Sequence, residues 1–205
     1  MDMPTPEDAP TALVLEKILP KMTETVGQTG WTAKALSAAA HSSELSDAEI
    51  AQALPEGIRS LVPLYLEQAV NAVSEHYNST EVDSMRIRDK VTSGVEAWFN
   101  WLSLSFDASV KAIDWCTVRP VGPLPMTEYI WHVADTIWTG LGDSSTGFTY
   151  MTKRTTLSAV LTSTLAVWRS SDGAPEEWKP FLDRRIEDVM AFESFKRKFQ
   201  IKLPV

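Results

Sequence analysis

The feature that most constrains this chain is its recurrent helical spacing of apolar residues. The series Ala12, Leu15, Ile18, Leu19 and Met22 follows an i, i+3, i+4 pattern, and similar series recur along the sequence. Such spacing places apolar side chains on one face of an α-helix, whereas a half-buried strand requires alternation, which is not sustained here. The sequence therefore predicts an all-α fold.

The predicted helices divide into two parts. Residues 1–10 are predicted to be disordered, and residues 11–80 contain three short helices followed by one long helix. Thr32 can cap the second helix, Ser46 or Asp47 can start the third, and Pro55 with Gly57 interrupts the chain before the fourth. This order predicts a helix-turn-helix-like N-terminal part. Residues 81–205 are predicted to form a C-terminal helical part of the same unit.

The charge distribution disfavours nucleic acid as a partner. The formal net charge is −8, and residues 1–70 carry four basic and ten acidic residues. The candidate recognition segment SDAEIAQALPEGIRS has Asp47, Glu49 and Glu56 but only Arg59 of opposite charge. Because DNA binding depends on neutralising phosphates, this surface would repel DNA even if the fold were kept.

The termini and the cysteine content predict a cytoplasmic protein. Cys116 is the single cysteine, so an internal disulfide is excluded, and the opening MDMPTPEDAPTALV lacks the basic and apolar segments of a secretory signal. No apolar run approaches the roughly 18 residues needed to span a membrane. Any membrane contact is predicted to be weak and peripheral, at the inner membrane face.

The candidate catalytic and metal-binding residues do not match the pattern of a known catalytic or metal site. Glu128, His132 and Asp135 share one helix face, but a helical di-iron site requires Glu-x-x-His motifs, which the sequence lacks. Ser144 and Ser145 follow a helix, whereas a nucleophile elbow follows a strand. No glycine-rich phosphate loop is present. We therefore predict a protein without catalytic residues, metal or cofactor.

Residues 140–168, GLGDSSTGFTYMTKRTTLSAVLTSTLAVW, predict a junction between two helices. Gly142 suits the end of the first helix, and Ser144, Ser145 or Thr146 can cap the second. Lys153 and Arg154 can hold a nearby carboxylate or a lipid head group. A structural ion pair with Asp135 or Asp143 is the alternative interpretation.

Several segments resemble one family. The segments GWTAKALSAAA and LPEGIRSLV, then ADTIWTGLGDSSTGFTYMTKRTTLSAVLTSTLAVW and FLDRRIEDVMAFE, resemble the ubiquinone (coenzyme Q) biosynthesis accessory proteins with a TetR-like fold. The resemblance runs over about residues 11–195 and is more specific in its second half. It implies a TetR-like helical bundle that is not an enzyme, binds an isoprenoid quinone precursor or a phospholipid, and presents the precursor to a di-iron hydroxylase. A homodimer formed through the late helices is also expected.

Two sets of site residues follow from the apolar composition and the resemblance. The predicted lipid contacts are Trp98, Trp131, Trp138, Met151, Leu161 and Trp168. The predicted partner surface is Asp135, Asp143, Phe148, Tyr150, Met151, Lys153 and Arg154.

The chain departs from the family pattern in two places. Where the family commonly has Asp-Phe-Asn-Trp-Tyr-Thr, residues 147–152 are Gly-Phe-Thr-Tyr-Met-Thr, so an acid and a Trp-Tyr pair are replaced. Eukaryotic members extend into a C-terminal amphipathic membrane helix, whereas this sequence ends with FKRKFQIKLPV. We expect the basic and aromatic residues of that ending to substitute weakly at an anionic surface.

Energetics limit how a long lipid could be bound. Burying one methylene contributes about 0.8 kcal/mol, so lifting a whole polyprenyl tail from a bilayer would cost tens of kcal/mol if the protein did not bury it. A pocket of roughly 300 to 1,000 Å³ holds a few isoprene units. The head group and proximal tail are therefore expected to enter the protein.

The alternative function is a TetR-like DNA-binding regulator that senses a hydrophobic ligand.

Overall fold

The computed structural model describes residues 8–79, 82, 84–118 and 124–198, and their regular structure is helical throughout. The helices are α1 (Asp8–Thr29), α2 (Ala33–Ser42), α3 (Asp47–Ala53), α4 (Ile58–Ser79), α5 (Ile87–Ser103), α6 (Phe106–Thr117), α7 (Met126–Gly140), α8 (Gly147–Ser170) and α9 (Pro175–Lys198). The predicted all-α fold is confirmed, and the helix order is consistent with a TetR-like bundle. Of the ten residues predicted to be disordered, residues 1–7 lie outside the described part, and Asp8–Pro10 begin α1.

The described residues form two compact units, each built from two segments of the chain. The first unit takes its residues from Met1–Ala69 and Leu104–Met126, and the second takes its residues from Val70–Ser103 and Thr127–Val205. Helix α6 therefore lies in the first unit, where it packs on α1, although it follows α5 along the chain. The second part of α4 lies in the second unit.

Local hydrogen bonds explain where the short helices of the first unit begin. The Thr32 hydroxyl accepts a hydrogen bond from the backbone N–H of Ala35 at the start of α2. Ser46 and Glu49 form a capping box at the start of α3, and these hydrogen bonds hold the pKa of Glu49 below its usual value. The predicted capping by Thr32 and Ser46 is confirmed, and such caps stabilise a helix by about 1 kcal/mol each.

Two buried polar contacts connect α6 to the rest of the first unit. The indole N–H of Trp31 donates to the Ala108 carbonyl oxygen over 3.1 Å, and the Tyr65 and Ser109 hydroxyl oxygens lie 2.8 Å apart. Burial raises the pKa of Tyr65 to about 12, so its hydroxyl stays protonated. These paired groups avoid the free-energy cost of an unsatisfied buried donor and fix α6 in this unit.

The second unit is built around a cluster of aromatic side chains. Phe99 of α5 lies 4.7 Å from the ring of Trp98, 6.0 Å from Trp168 and 4.9 Å from Trp178, measured between ring centroids. The indole N–H of Trp98 donates to the Tyr129 hydroxyl, and that of Trp168 donates to the Ser103 hydroxyl. A buried indole is stable where its N–H has a hydrogen-bond partner, and both of these indoles have one.

Tyr77 requires two glycines beside it. Its hydroxyl donates to the Lys90 carbonyl oxygen over 2.9 Å, and its ring passes over Gly94 of α5 and Gly140 of α7. A Cβ atom added at Gly94 would lie 2.0 Å from the Tyr77 hydroxyl oxygen, and one at Gly140 would lie 2.4 Å from a ring carbon. Only glycine allows α5 and α7 to approach the Tyr77 ring of α4 this closely.

We expect Gly94→Ala to lower the free energy of unfolding by about 2 kcal/mol, because the clash with Tyr77 outweighs alanine's better helix propensity. Urea denaturation monitored by circular dichroism measures the change. In a Tyr77→Leu background the ring is absent, and the same substitution should be neutral or slightly stabilising. Equal destabilisation in both backgrounds would show that Tyr77 is not the reason for the glycine.

Candidate functional site

The turn between α7 and α8 is formed by backbone hydrogen bonds and two glycines. The N–H of Gly142 donates to the Thr139 carbonyl oxygen and that of Asp143 to the Trp138 carbonyl oxygen, over 2.9 and 3.0 Å. Gly142 and Gly147 have φ angles of 70° and 58°, which side chains other than glycine adopt rarely. Thr146 occupies the N-cap position of α8 without a side-chain capping hydrogen bond, and Ser145 donates instead to the Asp143 carboxylate.

A buried arginine connects this turn to both helices. Arg154 is 2% exposed, and its guanidinium contacts the Asp135 carboxylate at 2.5 Å and the Asp143 carboxylate at 2.9 Å. It also lies 3.6 Å from the ring centroid of Tyr150, whose hydroxyl donates to Asp135. The structure thus pairs Arg154 with both carboxylates that the sequence offered as partners.

Lys153 extends the same network to the surface. Its ammonium contacts the second oxygen of Asp143 at 2.5 Å and lies 4.9 Å from the ring centroid of Trp138, whose indole N–H donates to the Lys153 carbonyl oxygen. Burial alone would raise the pKa of Asp143, but hydrogen bonds from Lys153, Ser145 and Arg154 outweigh it and hold the pKa well below its usual value. Burial would likewise lower the pKa of Arg154, but its two carboxylate partners raise it instead. Asp143 and Arg154 therefore stay charged near neutral pH.

Beside this network lies an apolar groove of about 440 Å³ within the second unit. Its walls come from the start of α5, the end of α7, the first half of α8 and the second half of α9. The lining residues are Ile87, Arg88, Val91, Trp138, Phe148, Thr149, Thr152, Lys153, Thr156, Leu157, Val160, Ile186, Val189 and Met190. Phe148, Ile87 and Met190 remain 74%, 48% and 38% exposed, so apolar surface continues to the rim.

The predicted lipid contacts fall in three different places. Trp138 lines the groove. Trp98, Leu161 and Trp168 are completely buried in the core and are not among the lining residues. Trp131 is half-buried with its ring 6.4 Å from that of Tyr150, and Met151 is 51% exposed beside the groove.

The predicted partner surface combines exposed and buried residues. Phe148 and Met151 are exposed, Lys153, Tyr150 and Asp135 are half-buried, and the side chains of Asp143 and Arg154 are only 6% and 3% exposed. The two buried members can position their neighbours, but they offer little surface of their own.

Sequence reasoning missed the walls that α5 and α9 contribute. Ile87 and Val91 are four residues apart, and Ile186, Val189 and Met190 repeat a helical spacing, so both helices showed an apolar face. That pattern does not distinguish a face covered by another helix from one that borders a groove.

Among the described residues there is neither a metal-binding cluster nor a membrane-spanning helix. No group of three or more His, Cys, Asp or Glu side chains in that part of the chain is arranged to hold a metal ion, and Asp135 is occupied by Arg154 and Tyr150. None of the helices described is both long and apolar enough to cross a membrane.

Fold and site together define an all-α protein with an apolar groove beside a buried ion-pair network. Residues 125–193, which include α7, α8 and most of α9, match the COQ9 family model. The chain is 26% identical over 187 residues to the rat (Rattus norvegicus) ubiquinone biosynthesis protein COQ9, mitochondrial, covering 86% of this chain. It spans 59% of that relative's length. The resemblance inferred from the sequence is confirmed.

We expect Asp143→Asn to destabilise the protein by about 3 kcal/mol at pH 7, because it removes one partner from a buried charge network. Since the folded-state pKa of Asp143 is lowered, its contribution is present above the unfolded-state value near 4 and is lost as the pH falls through the folded-state value. The variant should therefore lose less stability than the parent on acidification below about pH 4. Urea denaturation at a series of pH values measures both effects.

The matched control is Asp188→Asn, which removes the same charge from an exposed pair with Arg185. Exposed pairs contribute less than about 1 kcal/mol, so this variant should resemble the parent. Equal losses for the two variants would contradict the importance of burial at Asp143.

Proposed function

We propose that this chain acts in ubiquinone biosynthesis as a non-enzymatic accessory protein, and that it binds an isoprenoid quinone precursor or a phospholipid in its groove. The observation that carries this proposal is the apolar groove itself, whose α7, α8 and α9 walls lie in the segment matching COQ9. Concave, mainly apolar pockets with a few polar groups are typical of small-molecule sites.

The size of the groove supports partial insertion of a long lipid. Its volume of about 440 Å³ lies within the range of ligand pockets, which accommodates a head group with a few isoprene units. Each methylene of the proximal tail that enters the groove regains the roughly 0.8 kcal/mol that it would lose on leaving the bilayer for water. The distal tail then remains in the bilayer, and the protein works at the inner membrane face as a weak peripheral binder.

The exposed apolar residues at the start of α8 are the proposed contact with a di-iron hydroxylase. Phe148 and Met151 present their side chains to solvent next to the groove. A partner that covered both side chains would bury apolar surface and would receive lipid directly from the groove. In this proposal Asp135, Asp143 and Arg154 hold the first turns of α8 in place, and Tyr150 and Lys153 border the contact. A homodimer through the late helices completes the proposed assembly.

The DNA-binding alternative finds no support in the first unit. Arg59, the one basic residue of the candidate recognition segment, forms an ion pair with Glu56 at 3.3 Å. The exposed Asp47 and Glu49 lie on α3. A surface of this sign repels phosphates and releases no counterions on approach.

Deleting the gene tests the proposed pathway. We expect cells without it to accumulate a quinone precursor that lacks one hydroxylation, because the hydroxylase would no longer receive its substrate. Liquid chromatography with mass spectrometry of extracted quinones gives the measurement, and restoring the gene is the control. Normal ubiquinone with no accumulated precursor would contradict the proposal.

Filling the groove tests the proposed site. Thr156→Trp places an indole among the lining residues and should reduce co-purified isoprenoid or phospholipid by about tenfold, because the volume available to the tail is lost. Native mass spectrometry of the purified protein measures the bound lipid.

Thr155→Trp is the matched control, because Thr155 is the adjacent residue, is exposed and does not line the groove. Circular dichroism verifies that both variants fold. Absence of lipid from the parent protein, or equal retention in both variants, would count against this binding site.

A further inference from the structure

Both cationic side chains in the described groove lining already have carboxylate partners. Arg88 contacts Glu187 at 2.9 Å and lies 4.0 Å from Asp183, and Lys153 contacts Asp143. An anionic ligand that contacted either cation would therefore share it with a carboxylate that is already bound.

At the α8 side of the groove, the existing pair would be costly to break. The Asp143 side chain is 6% exposed and accepts hydrogen bonds from Lys153, Arg154 and Ser145. An anionic head group that recruited Lys153 would compete with this buried carboxylate for the same ammonium. It would also approach the Asp143 charge at a distance where like charges repel.

At the α9 side, the local charge is unfavourable for an anion. One guanidinium, that of Arg88, faces two carboxylates, those of Asp183 and Glu187. An anionic head group placed beside Arg88 would meet more negative than positive charge. Carboxylates at a binding site repel an anionic head group, whereas an uncharged head group meets no such repulsion.

The uncharged polar groups of the groove suit a different ligand. Thr149, Thr152 and Thr156 all line it, at a spacing that places them on one face of α8. A threonine hydroxyl can donate one hydrogen bond and accept others. Thr152 donates to the Phe148 carbonyl oxygen and can therefore accept from a ligand hydroxyl, while Thr149 and Thr156 can pair with a hydroxyl or a carbonyl. A lipid hydroxyl or quinone-type carbonyl carries no charge that the carboxylates would repel.

We propose that the groove selects amphiphiles with an uncharged head group over anionic lipids, and that Asp183, Glu187 and Asp143 determine this specificity. The inference rests on the proposed lipid-binding function and narrows its ligand class. The carboxylates act by occupying Arg88 and Lys153, while the threonine stripe provides the hydrogen bonds that a neutral head group needs.

Two probes that share one tail test this inference. Farnesol is uncharged and farnesyl monophosphate is anionic, and isothermal titration calorimetry with the full chain measures both affinities below their aggregation concentrations. We expect farnesol to bind about tenfold more tightly than farnesyl monophosphate. Glu187→Gln should reduce this preference about threefold, and the double substitution Asp183→Asn with Glu187→Gln should abolish it, because Arg88 is then unpaired.

Asp188→Asn is the matched control, since it removes the same charge from α9 but pairs with Arg185 instead of a lining residue. It should leave the preference unchanged. Tighter binding of the phosphate by the parent protein, or an unchanged preference in the double variant, would overturn the inference while leaving lipid binding intact. Failure of both probes to bind the parent would overturn the proposed lipid-binding function, and the inference with it.

Discussion

The buried guanidinium of Arg154 is the interaction on which the candidate site depends. Removing a cation from water costs several kcal/mol, and this cost is offset only by well-placed carboxylates and hydrogen bonds. Asp135 of α7, Asp143 of the turn and the ring of Tyr150 supply these partners. Because they come from separate elements, the ion pairs fix α7 relative to α8. The position of Trp138 against α8, and so one end of the groove, follows from that arrangement.

The chain contains 8 tryptophans, and three of them have a structural role that is distinct from the groove. Phe99 packs among Trp98, Trp168 and Trp178, which are fully buried in the second unit. Large rings with satisfied N–H groups resist compression and repacking, so this cluster holds α5 against α8 and α9. A rigid core behind the groove allows its apolar walls to remain separated.

The helices and their caps could be predicted from the sequence because those signals are local. Thr32 and Ser46 precede their helices directly, and Arg154 could be matched with Asp135 and Asp143 because all three flank one turn. The groove could not be predicted in the same way. Trp138 and Trp168 both belong to apolar helical faces, yet one borders the groove and the other is buried. That difference depends on which helices pack nearby, and periodicity carries no information about distant neighbours. The inclusion of α6 in the first unit has the same origin.

The two sides of the groove are held by interactions of unequal strength. The α7–α8 side depends on the buried network of Arg154. The first turns of α9 are held to α5 by Trp178, which packs on Phe99, whereas at the groove α9 is joined to α5 by the partly exposed ion pair of Arg88 with Glu187. Exposed pairs contribute at most about 1 kcal/mol each, and buried networks lose several kcal/mol when a partner is removed. Local opening takes place where the stabilising free energy is lowest. Widening of the groove for a ligand is therefore expected at the α9 wall, where Ile186, Val189 and Met190 would move and the α8 surface would stay in place.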